Sequence, residues 1–187
     1  MWYAEGKSRK RRKPINETLK TLKERRSVRR YKAQQITDGE LSAILEAGTF
    51  APSGMGKQSA VRVVLQDKET ISALSSINAE IMGNPAADPF YGAPTVVAVL
   101  ADSGSYNWLK DGSLVMGNLM NAAASLGVGS CWINRCGETF ELPEGKEYLK
   151  RWGLGENYKG VGYCILGYAD GDIPAPKPRK ETYIIRP

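Results

Sequence analysis

The chain has 187 residues, of which 42% are hydrophobic, a size that suits one domain with a substantial core rather than two. It contains no histidine, which excludes Ser-His-Asp and Cys-His nucleophiles, histidine bases and the usual catalytic zinc sites. Chemistry in such a protein must come from a cofactor, or from carboxylates and lysines.

Positive charge is concentrated at the start of the chain. Residues 1–32 hold 13 Lys and Arg against 3 Asp and Glu, whereas residues 33–187 hold 13 against 17. We interpret residues 1–14 as a basic, solubilising appendage. The run from Lys7 to Lys13 has the charge to contact nucleic acid or an anionic membrane, but it lacks interleaved aromatic residues. We therefore expect neither partner.

The sequence predicts neither a membrane span nor secretion. Its longest apolar run, residues 95–101, is far shorter than a spanning helix, and no apolar segment follows the basic start. The three cysteines, Cys131, Cys136 and Cys164, are odd in number and form no C-x-x-C pair. We expect them to be core thiols of a cytoplasmic protein.

The first half of the chain alternates helix and strand patterns. Asn16 should cap a helix that runs to about Arg26, and a capping box of Thr37 and Glu40 should open a second helix to Gly48. After a loop over 51–58, the pattern predicts a strand over 61–66, a helix over 71–82 and a fully buried strand over 93–101.

The second half continues the alternation. A long helix over 109–126 carries many small residues, which suits close packing or subunit contact, and glycines at 127 and 129 should end it. We interpret Asp102 and Asp111 as cap or loop carboxylates. Further elements are predicted as a strand over 128–134, a helix over 143–152 and a buried strand over 161–168. These elements indicate an α+β or α/β domain over residues 15–172 with one central sheet, followed by an extended proline-rich arm over 173–187.

Several short motifs follow one another in a specific order. Each is weak alone, but the ordered set resembles the FMN-dependent nitroreductase family in its short form, over about residues 15–180. The motifs are R-R-S-V-R-R-Y at 25–31, A-P-S-G-M-G-K-Q at 51–58, G-A-P-T-V-V-A-V-L-A-D at 92–102, D-G-S-L-V-M-G-N-L-M-N-A-A-A-S-L-G-V-G-S-C-W-I at 111–133, G-Y-C-I-L-G-Y-A-D at 162–170 and P-A-P-K-P-R-K at 174–180.

The resemblance implies an α+β fold with a central, mainly antiparallel sheet flanked by helices. It also implies an intertwined homodimer with two FMN molecules at the interface, in which the arm over 173–187 completes the FMN site. The expected activity is ping-pong oxidation of NADH or NADPH, with hydride passed to a nitroaromatic, a quinone, a flavin or a related small acceptor. Because flavin performs the redox chemistry, we predict no catalytic side chain and no metal site.

The resemblance further implies which residues bind FMN. An arginine-serine segment would hold the phosphate, the ribityl chain and the pyrimidine edge, and a C-terminal K-x-R would add a phosphate contact. A loop of the partner subunit would cover the dimethylbenzene end. A strand end would place a backbone N–H near the central ring nitrogen, and an asparagine would reach the flavin edge. In that order, the residues are Arg25, Arg26, Ser27 and Arg29; Lys177 and Arg179; Pro52, Ser53, Gly54 and Met55; Cys131, Trp132, Ile133 and Asn134; and Asn84.

These residues suit the ligand chemically, because guanidinium donors match phosphate oxygens in pairs. The chain departs from the family pattern where Gly56 and Ser59-Ala60 replace the usual asparagine and Pro-Trp. The identity of the acceptor therefore stays open, and so does the choice between NADH and NADPH. Two other interpretations remain open. One is a relative with different flavin chemistry, such as dehalogenation or ring dehydrogenation, and the other is a non-catalytic flavin-binding or nucleic-acid-binding protein.

Overall fold

The computed structural model describes residues 16–186, so the basic tail predicted for residues 1–14 lies outside the described residues. The described part contains six α-helices and four strands. In chain order they are α1 (Glu17–Glu24), α2 (Asp38–Thr49), β1 (Ala60–Leu65), α3 (Lys68–Ile81), β2 (Thr95–Asp102), α4 (Trp108–Ser125), β3 (Gly129–Ile133), α5 (Cys136–Glu141), α6 (Pro143–Arg151) and β4 (Tyr158–Gly167).

The four strands form one antiparallel sheet in the order β1-β2-β4-β3. The predicted central antiparallel sheet flanked by helices is therefore confirmed. β2 and β4 occupy the centre, and nearly every residue of both is buried, as their continuous apolar sequences predicted. β3 lies at one edge of the sheet, and this edge positions the candidate site described below.

Helices cover both faces of the sheet. On one face α2 and α4 bury Ile44, Met116 and Leu119 against β2 and β4. On the other face α3, α5 and α6 contribute Leu74 and Phe140, among others. Each large apolar side chain that is fully removed from water contributes about 1.5–3 kcal/mol, so the two clusters supply the main driving force for folding. The three cysteines are buried and free, which confirms their predicted place in the core.

Local sequence signals set the helix ends. The Asn16 side chain accepts from the Leu19 N–H at 2.8 Å, and the predicted capping box of Thr37 and Glu40 is present. At the end of α4, Gly127 adopts a φ of +75° and the next N–H returns to the Ala123 carbonyl at 2.9 Å, which confirms helix termination there. The short helix α5 was not predicted.

The chain after β4 leaves the body of the domain. Asp170 donates its N–H to the Arg30 carbonyl at 3.0 Å and pairs with the Arg30 side chain at 3.3 Å. From Gly171 to Arg186 every residue is exposed, and the only regular structure is a single 3-10 turn at Glu181–Tyr183. Across residues 16–186, no helix combines the length and the apolar character that crossing a bilayer requires.

Candidate functional site

The predicted phosphate segment lies along the outer edge of β3. Ser27 forms a parallel bridge with Ser130, and the Val28 N–H donates to the Ser130 carbonyl at 3.0 Å. The Val28 side chain is buried, and a Cβ at Gly129 would approach it to 3.0 Å, so the glycine lets the segment lie close to the strand. Val28 thus anchors the segment, while Ser27 is half-buried and Arg29 is exposed.

Four side chains on β3 and this segment bury a polar atom that has no partner within residues 16–186. The atoms are Arg25 Nη1, Arg26 Nε, Ser130 Oγ and Trp132 Nε1. An unpaired buried polar group costs about 1–3 kcal/mol, and more if it is charged. Such a group commonly marks a place where a ligand supplies the missing partner. Arg25, Arg26 and Ser130 therefore offer donors to a bound anion at this edge, whereas Trp132 Nε1 lies beside Gly162 of β4.

Two adjoining clefts, which we call the β3 groove, run along this segment. The first has a volume of about 310 Å³ and is lined by Arg25, Arg26 and Ser130, among others. The second, of about 500 Å³, is lined by Ser27 and Arg29. Both clefts share Val28, Ala169 and Ile173, so the start of the C-terminal arm forms one wall of the groove.

The β3 groove is lined by five basic side chains and four carboxylates, so it carries a small excess of positive charge. No carboxylate forms an ion pair with Arg25, Arg26 or Arg29 in the described part of the chain. Burial, together with Cys131, raises the pKa of Cys164 to about 12 against the opposing effect of Arg25. This thiol is therefore neutral near pH 7 and leaves the Arg25 charge available to a ligand.

The end of β3 carries the next predicted group. Cys131 and Ile133 are buried among the residues between the sheet and α3, whereas Asn134 is exposed. The Ser130 carbonyl points away from β4, towards Val28. Every second residue of a strand directs its backbone groups to the same side, so the N–H and carbonyl of Trp132 also point away from β4. Among the predicted residues 131–134, only Trp132 and Asn134 have side chains that are not buried. The free edge of the strand adds backbone donors.

The loop over 51–58 lies elsewhere in the same chain. The Gly54 N–H donates to Asp111 Oδ1 at 3.0 Å, which ties the loop to the first turn of α4. Pro52 and Ser53 line a separate cleft of about 180 Å³ beside Asp111. Met55 is 83% exposed and has a left-handed φ of +55°. Within one protomer, this loop shares no cleft with Arg25.

Three further predicted residues also lie outside the β3 groove. Asn84 is exposed in the turn after α3, and Lys177 and Arg179 are exposed on the arm. Arg179 lines a separate cleft of about 530 Å³ on the arm itself, together with Tyr183. A single chain therefore brings together Arg25, Arg26, Ser27 and Arg29 beside β3, but not the loop or the arm residues.

Two buried polar residues hold these segments in place: Asp111, which the sequence assigned to a cap or loop role, and Asn78, which sequence reasoning missed. Asp111 is 4% exposed and also accepts from Ser59 Oγ at 3.4 Å, so it is a buried anchor for the loop and not a simple cap. Asn78 is fully buried on α3 and donates from Nδ2 to the Asn134 carbonyl at 2.7 Å. The signal for Asn78 was its place four residues after Leu74, on the apolar stripe of the helix.

No cluster of His, Cys, Asp and Glu side chains suited to a metal ion occurs within residues 16–186. The arrangement offers instead a set of cationic and neutral donors beside an exposed strand edge. Its chemistry is that of binding a molecule with an anionic group and orienting the rest of that molecule along the strand.

Comparisons with known proteins point to one family. The sequence model of the Nitroreductase family matches residues 22–168. A protein from Archaeoglobus fulgidus, named provisionally as an NADH dehydrogenase/NAD(P)H nitroreductase, is 30% identical over 174 residues, which cover 90% of this chain and 91% of that protein.

Solved structures agree with this. A nitroreductase from Bacteroides fragilis with bound FMN is 35% identical and superposes with a TM-score of 0.85, covering 91% of this chain and 98% of its own. A nitroreductase from Desulfitobacterium hafniense, also with bound FMN, is 30% identical with a TM-score of 0.83, covering 92% and 99%.

Proposed function

The chain belongs to the nitroreductase family, and we propose that it is an FMN-dependent oxidoreductase that takes hydride from NADH or NADPH and passes it to a small organic acceptor. The observation that carries the proposal is the set of buried donors beside β3 that lack a protein partner. FMN is the ligand bound in the two related structures, and its functional groups match those donors.

The fit begins at the phosphate. A phosphate monoester carries about −1.5 to −2 charges near neutral pH and has three strong acceptor oxygens. Arg25 Nη1 and Ser130 Oγ are buried donors without protein partners, and both residues line the first cleft of the β3 groove. Ser27 lines the second cleft and would add a hydroxyl donor. We propose that these three residues bind the phosphate end of FMN.

The remaining residues of the groove would orient the rest of the cofactor. When bound, FMN supplies hydride transfer between the nicotinamide and the acceptor. Arg29, which is exposed in the second cleft, would place a cation near the pyrimidine edge, where reduced flavin accumulates negative charge. The free edge of β3 at Trp132 and Asn134 would offer backbone donors to the ring, as the family resemblance implies. These residues bind and orient, and none needs to transfer a proton.

We propose that a second copy of the chain completes each site. Pro52 to Met55 and Arg25 share no cleft within one protomer, so the loop would have to reach the flavin of the partner. A set of large apolar side chains near this loop supports a homodimer, because exposed apolar patches commonly mark interfaces. These exposed side chains are Phe50, Met55, Tyr106, Leu109 and Leu114. The arm over 173–187, with Lys177 and Arg179, would extend to the partner and contribute to its site.

The first test is spectroscopic. The purified protein should be yellow, should release FMN on denaturation, and should lose its yellow colour when NADH or NADPH is added without oxygen. A colourless protein that is retained on nucleic acid in a salt-sensitive way would contradict the proposal and favour the nucleic-acid-binding interpretation. A yellow protein that neither nicotinamide reduces would favour a non-catalytic flavin-binding protein.

The second test is kinetic. We propose that the donor and the acceptor use one flavin face in turn, so double-reciprocal plots should give parallel lines, the signature of a ping-pong mechanism. Converging lines would instead indicate a ternary complex. Screening nitroaromatics, quinones and free flavins as acceptors, with halogenated and ring-saturated compounds beside them, separates reduction from dehalogenation or ring dehydrogenation. Gly56 and Ser59-Ala60 belong to the loop that would shape this specificity.

The third test asks whether two chains build one site. Arg25→Ala should disable the phosphate site of one copy, and Met55→Glu should disable the loop of the other. Met55 is chosen over Gly54 because a side chain at Gly54 would collide with Asn107 of the same chain. A mixed dimer of these two variants contains one site with both lesions and one site with neither. Subunit exchange between the two inactive homodimers should therefore restore up to half of the activity of each mixed dimer. Stable mixed dimers that stay inactive would place the whole site in one chain.

We also propose that the protein works in the cytoplasm. Its three cysteines are free thiols, which suits a reducing compartment.

A further inference from the structure

We propose that Asn78 is a positioning residue that aims the backbone N–H of Arg135 at the bound flavin. The inference rests on the proposed function, because it takes FMN to lie along the edge of β3. It concerns a residue on a different helix from every group assigned to the site above, and it depends on one hydrogen bond that joins α3 to the segment after β3.

The Asn78 side chain is fully buried, yet it makes only one hydrogen bond. Its Nδ2 donates to the Asn134 carbonyl at 2.7 Å, whereas its Oδ1 is buried and has no partner among the described residues. An apolar side chain of the same shape would avoid that unpaired oxygen, so the contribution of Asn78 to packing alone does not account for an amide here. The useful part of the residue is the donor at Nδ2.

That donor fixes the direction of a neighbouring peptide group. The Asn134 carbonyl and the Arg135 N–H belong to one planar trans peptide, in which the two groups point in opposite directions. Because Asn78 holds the carbonyl towards the buried side, the Arg135 N–H must point away from it. No acceptor within residues 16–186 takes this N–H. It is a free donor two residues beyond the end of β3, and the proposed role of Asn78 requires the flavin ring to lie against it.

The other side of Arg135 is fixed as well. Its carbonyl accepts from the Thr139 N–H at 2.9 Å and from Thr139 Oγ1 at 2.7 Å, and Thr139 is fully buried. Arg135 itself has a left-handed φ of +69°, a conformation that non-glycine residues adopt only when their surroundings impose it. Asn78 and Thr139 together provide those surroundings, and they hold the amide of Arg135 in one orientation.

A fixed donor at this place has a chemical consequence. An N–H donor at the central ring nitrogen stabilises oxidised flavin, in which that nitrogen is an acceptor, more than two-electron-reduced flavin, in which it carries a proton. Asn78 therefore influences both how tightly oxidised FMN binds and how readily it is reduced. It does so through Arg135, without touching the cofactor itself.

The test replaces Asn78 with leucine, which has a similar size and shape but no donor. Asn78→Leu should weaken the binding of oxidised FMN by about three- to tenfold, the effect of one hydrogen bond. The midpoint potential of the bound FMN should rise, because binding of the reduced form is affected less. In the wild type, FMN should protect the Arg135 amide from hydrogen exchange, and in the variant this protection should be reduced.

Ser75→Ala is the matched control. Ser75 is buried on α3 one turn before Asn78, and its hydroxyl donates to Asp88 Oδ1 at 2.6 Å, away from β3. It should lower stability without changing the FMN midpoint potential or the exchange of the Arg135 amide. If Asn78→Leu does not fold, Asn78→Ser removes the same contact, since its hydroxyl is too short to reach, and the same binding and potential changes are expected.

The possible results separate the two proposals. A wild-type protein that binds no FMN would overturn the proposed function, and the role of Asn78 with it. A wild-type protein that binds FMN, beside an Asn78 variant with unchanged affinity, potential and Arg135 exchange, would overturn only the role of Asn78. A variant that is less stable but matches Ser75→Ala in every flavin property would show that Asn78 is merely structural.

Discussion

The centre of the sheet and the edge of β3 differ in how many of their buried polar groups find a hydrogen-bond partner within one chain. In the centre, β2 pairs with a strand on each side, and its residues from Thr95 to Ala101 are buried in apolar surroundings. At the edge, Arg25, Arg26, Ser130 and Trp132 bury polar atoms that have no partner within residues 16–186. Among the described residues, the first region leaves one buried side-chain polar atom unpaired, the Tyr163 hydroxyl on β4. We propose that a ligand supplies the acceptors that the second region lacks.

This difference predicts how substitutions should act. Changes in the centre should alter the free energy of unfolding of the cofactor-free protein. Changes to the Arg25 side chain or the Ser130 hydroxyl at the edge should alter ligand binding and leave that free energy almost unchanged, because the unpaired atoms Arg25 Nη1 and Ser130 Oγ have no protein hydrogen bond to lose. The loop over 51–58 lies between these extremes, since Asp111 ties it to the core while Met55 is exposed.

A large loss of stability should follow Gly160→Ala in β4. A Cβ at this position would lie 2.2 Å from the Cys136 carbonyl oxygen and 2.7 Å from the Gly137 nitrogen, and neither backbone atom can move aside like a side chain. We expect a cost of about 3 kcal/mol or more, and a fall in Tm of roughly 10 °C, measured by thermal unfolding of the cofactor-free protein.

Gly39→Ala is the control for this change, because a Cβ there meets nothing within 4 Å and α2 already has a helical backbone at that position. Its Tm should equal or slightly exceed that of the wild type. A Gly160→Ala protein that unfolds at the wild-type temperature would contradict the tight packing described for the centre.

An intermediate effect is expected at Asp111. Asp111→Ala would leave the Gly54 N–H and the Ser59 hydroxyl without their acceptor, at a cost of about 1–3 kcal/mol, reduced where water can reach the loop. Hydrogen exchange at the Gly54 amide should accelerate. Asp111→Asn retains an acceptor oxygen and should change both quantities less. Equal effects of the two substitutions would indicate that charge, and not the hydrogen bond, holds the loop.

The smallest effect concerns Glu40, which is half-buried at the start of α2. Hydrogen bonds from Thr37 and then Tyr168 hold the pKa of this carboxyl below its usual value. A pKa lower in the folded state means that the carboxylate stabilises the protein near neutral pH and that this contribution is lost as pH falls through the folded pKa.

The Tm difference between the wild type and Glu40→Gln should therefore be largest near pH 7 and should disappear in acid. Glu46→Gln, on the same helix, is the control, because it shows how much the Tm changes when one negative charge is removed from α2. A difference between wild type and Glu40→Gln that persists unchanged at low pH would show that these hydrogen bonds do not depend on ionisation.

Sequence patterns located most of the fold because its elements carry local signals. The Asn16 cap, the Thr37 and Glu40 box and the continuous apolar strands all depend on residues close together in the chain. The helix α5 has only six residues, too few for an apolar period to be recognised. Its presence depends on packing against β4, which no local signal reports.

The candidate site was predictable to the extent that motifs marked its segments. The contacts of Asn78 with Asn134 and of Gly54 with Asp111 join residues 56 and 57 positions apart, and such pairs follow only from the folded structure. The assignment of Lys177 and Arg179 to an FMN site remains a prediction, because both are exposed on the arm of a single chain.

The most direct test of the account compares FMN with riboflavin, which lacks the phosphate, in binding to wild type and to Arg25→Ala. Loss of a charge-assisted contact to phosphate costs about 1.5–3 kcal/mol, so FMN affinity should fall by roughly 10- to 100-fold while riboflavin affinity stays the same. The Tm of the cofactor-free protein should not fall, because Arg25 Nη1 has no protein partner to lose. Lys23→Ala, which removes an exposed charge two residues before Arg25, in the last turn of α1, should leave both affinities near wild type. Unchanged FMN affinity in Arg25→Ala, or an equal loss for both flavins, would contradict the assignment of the β3 edge as the phosphate site.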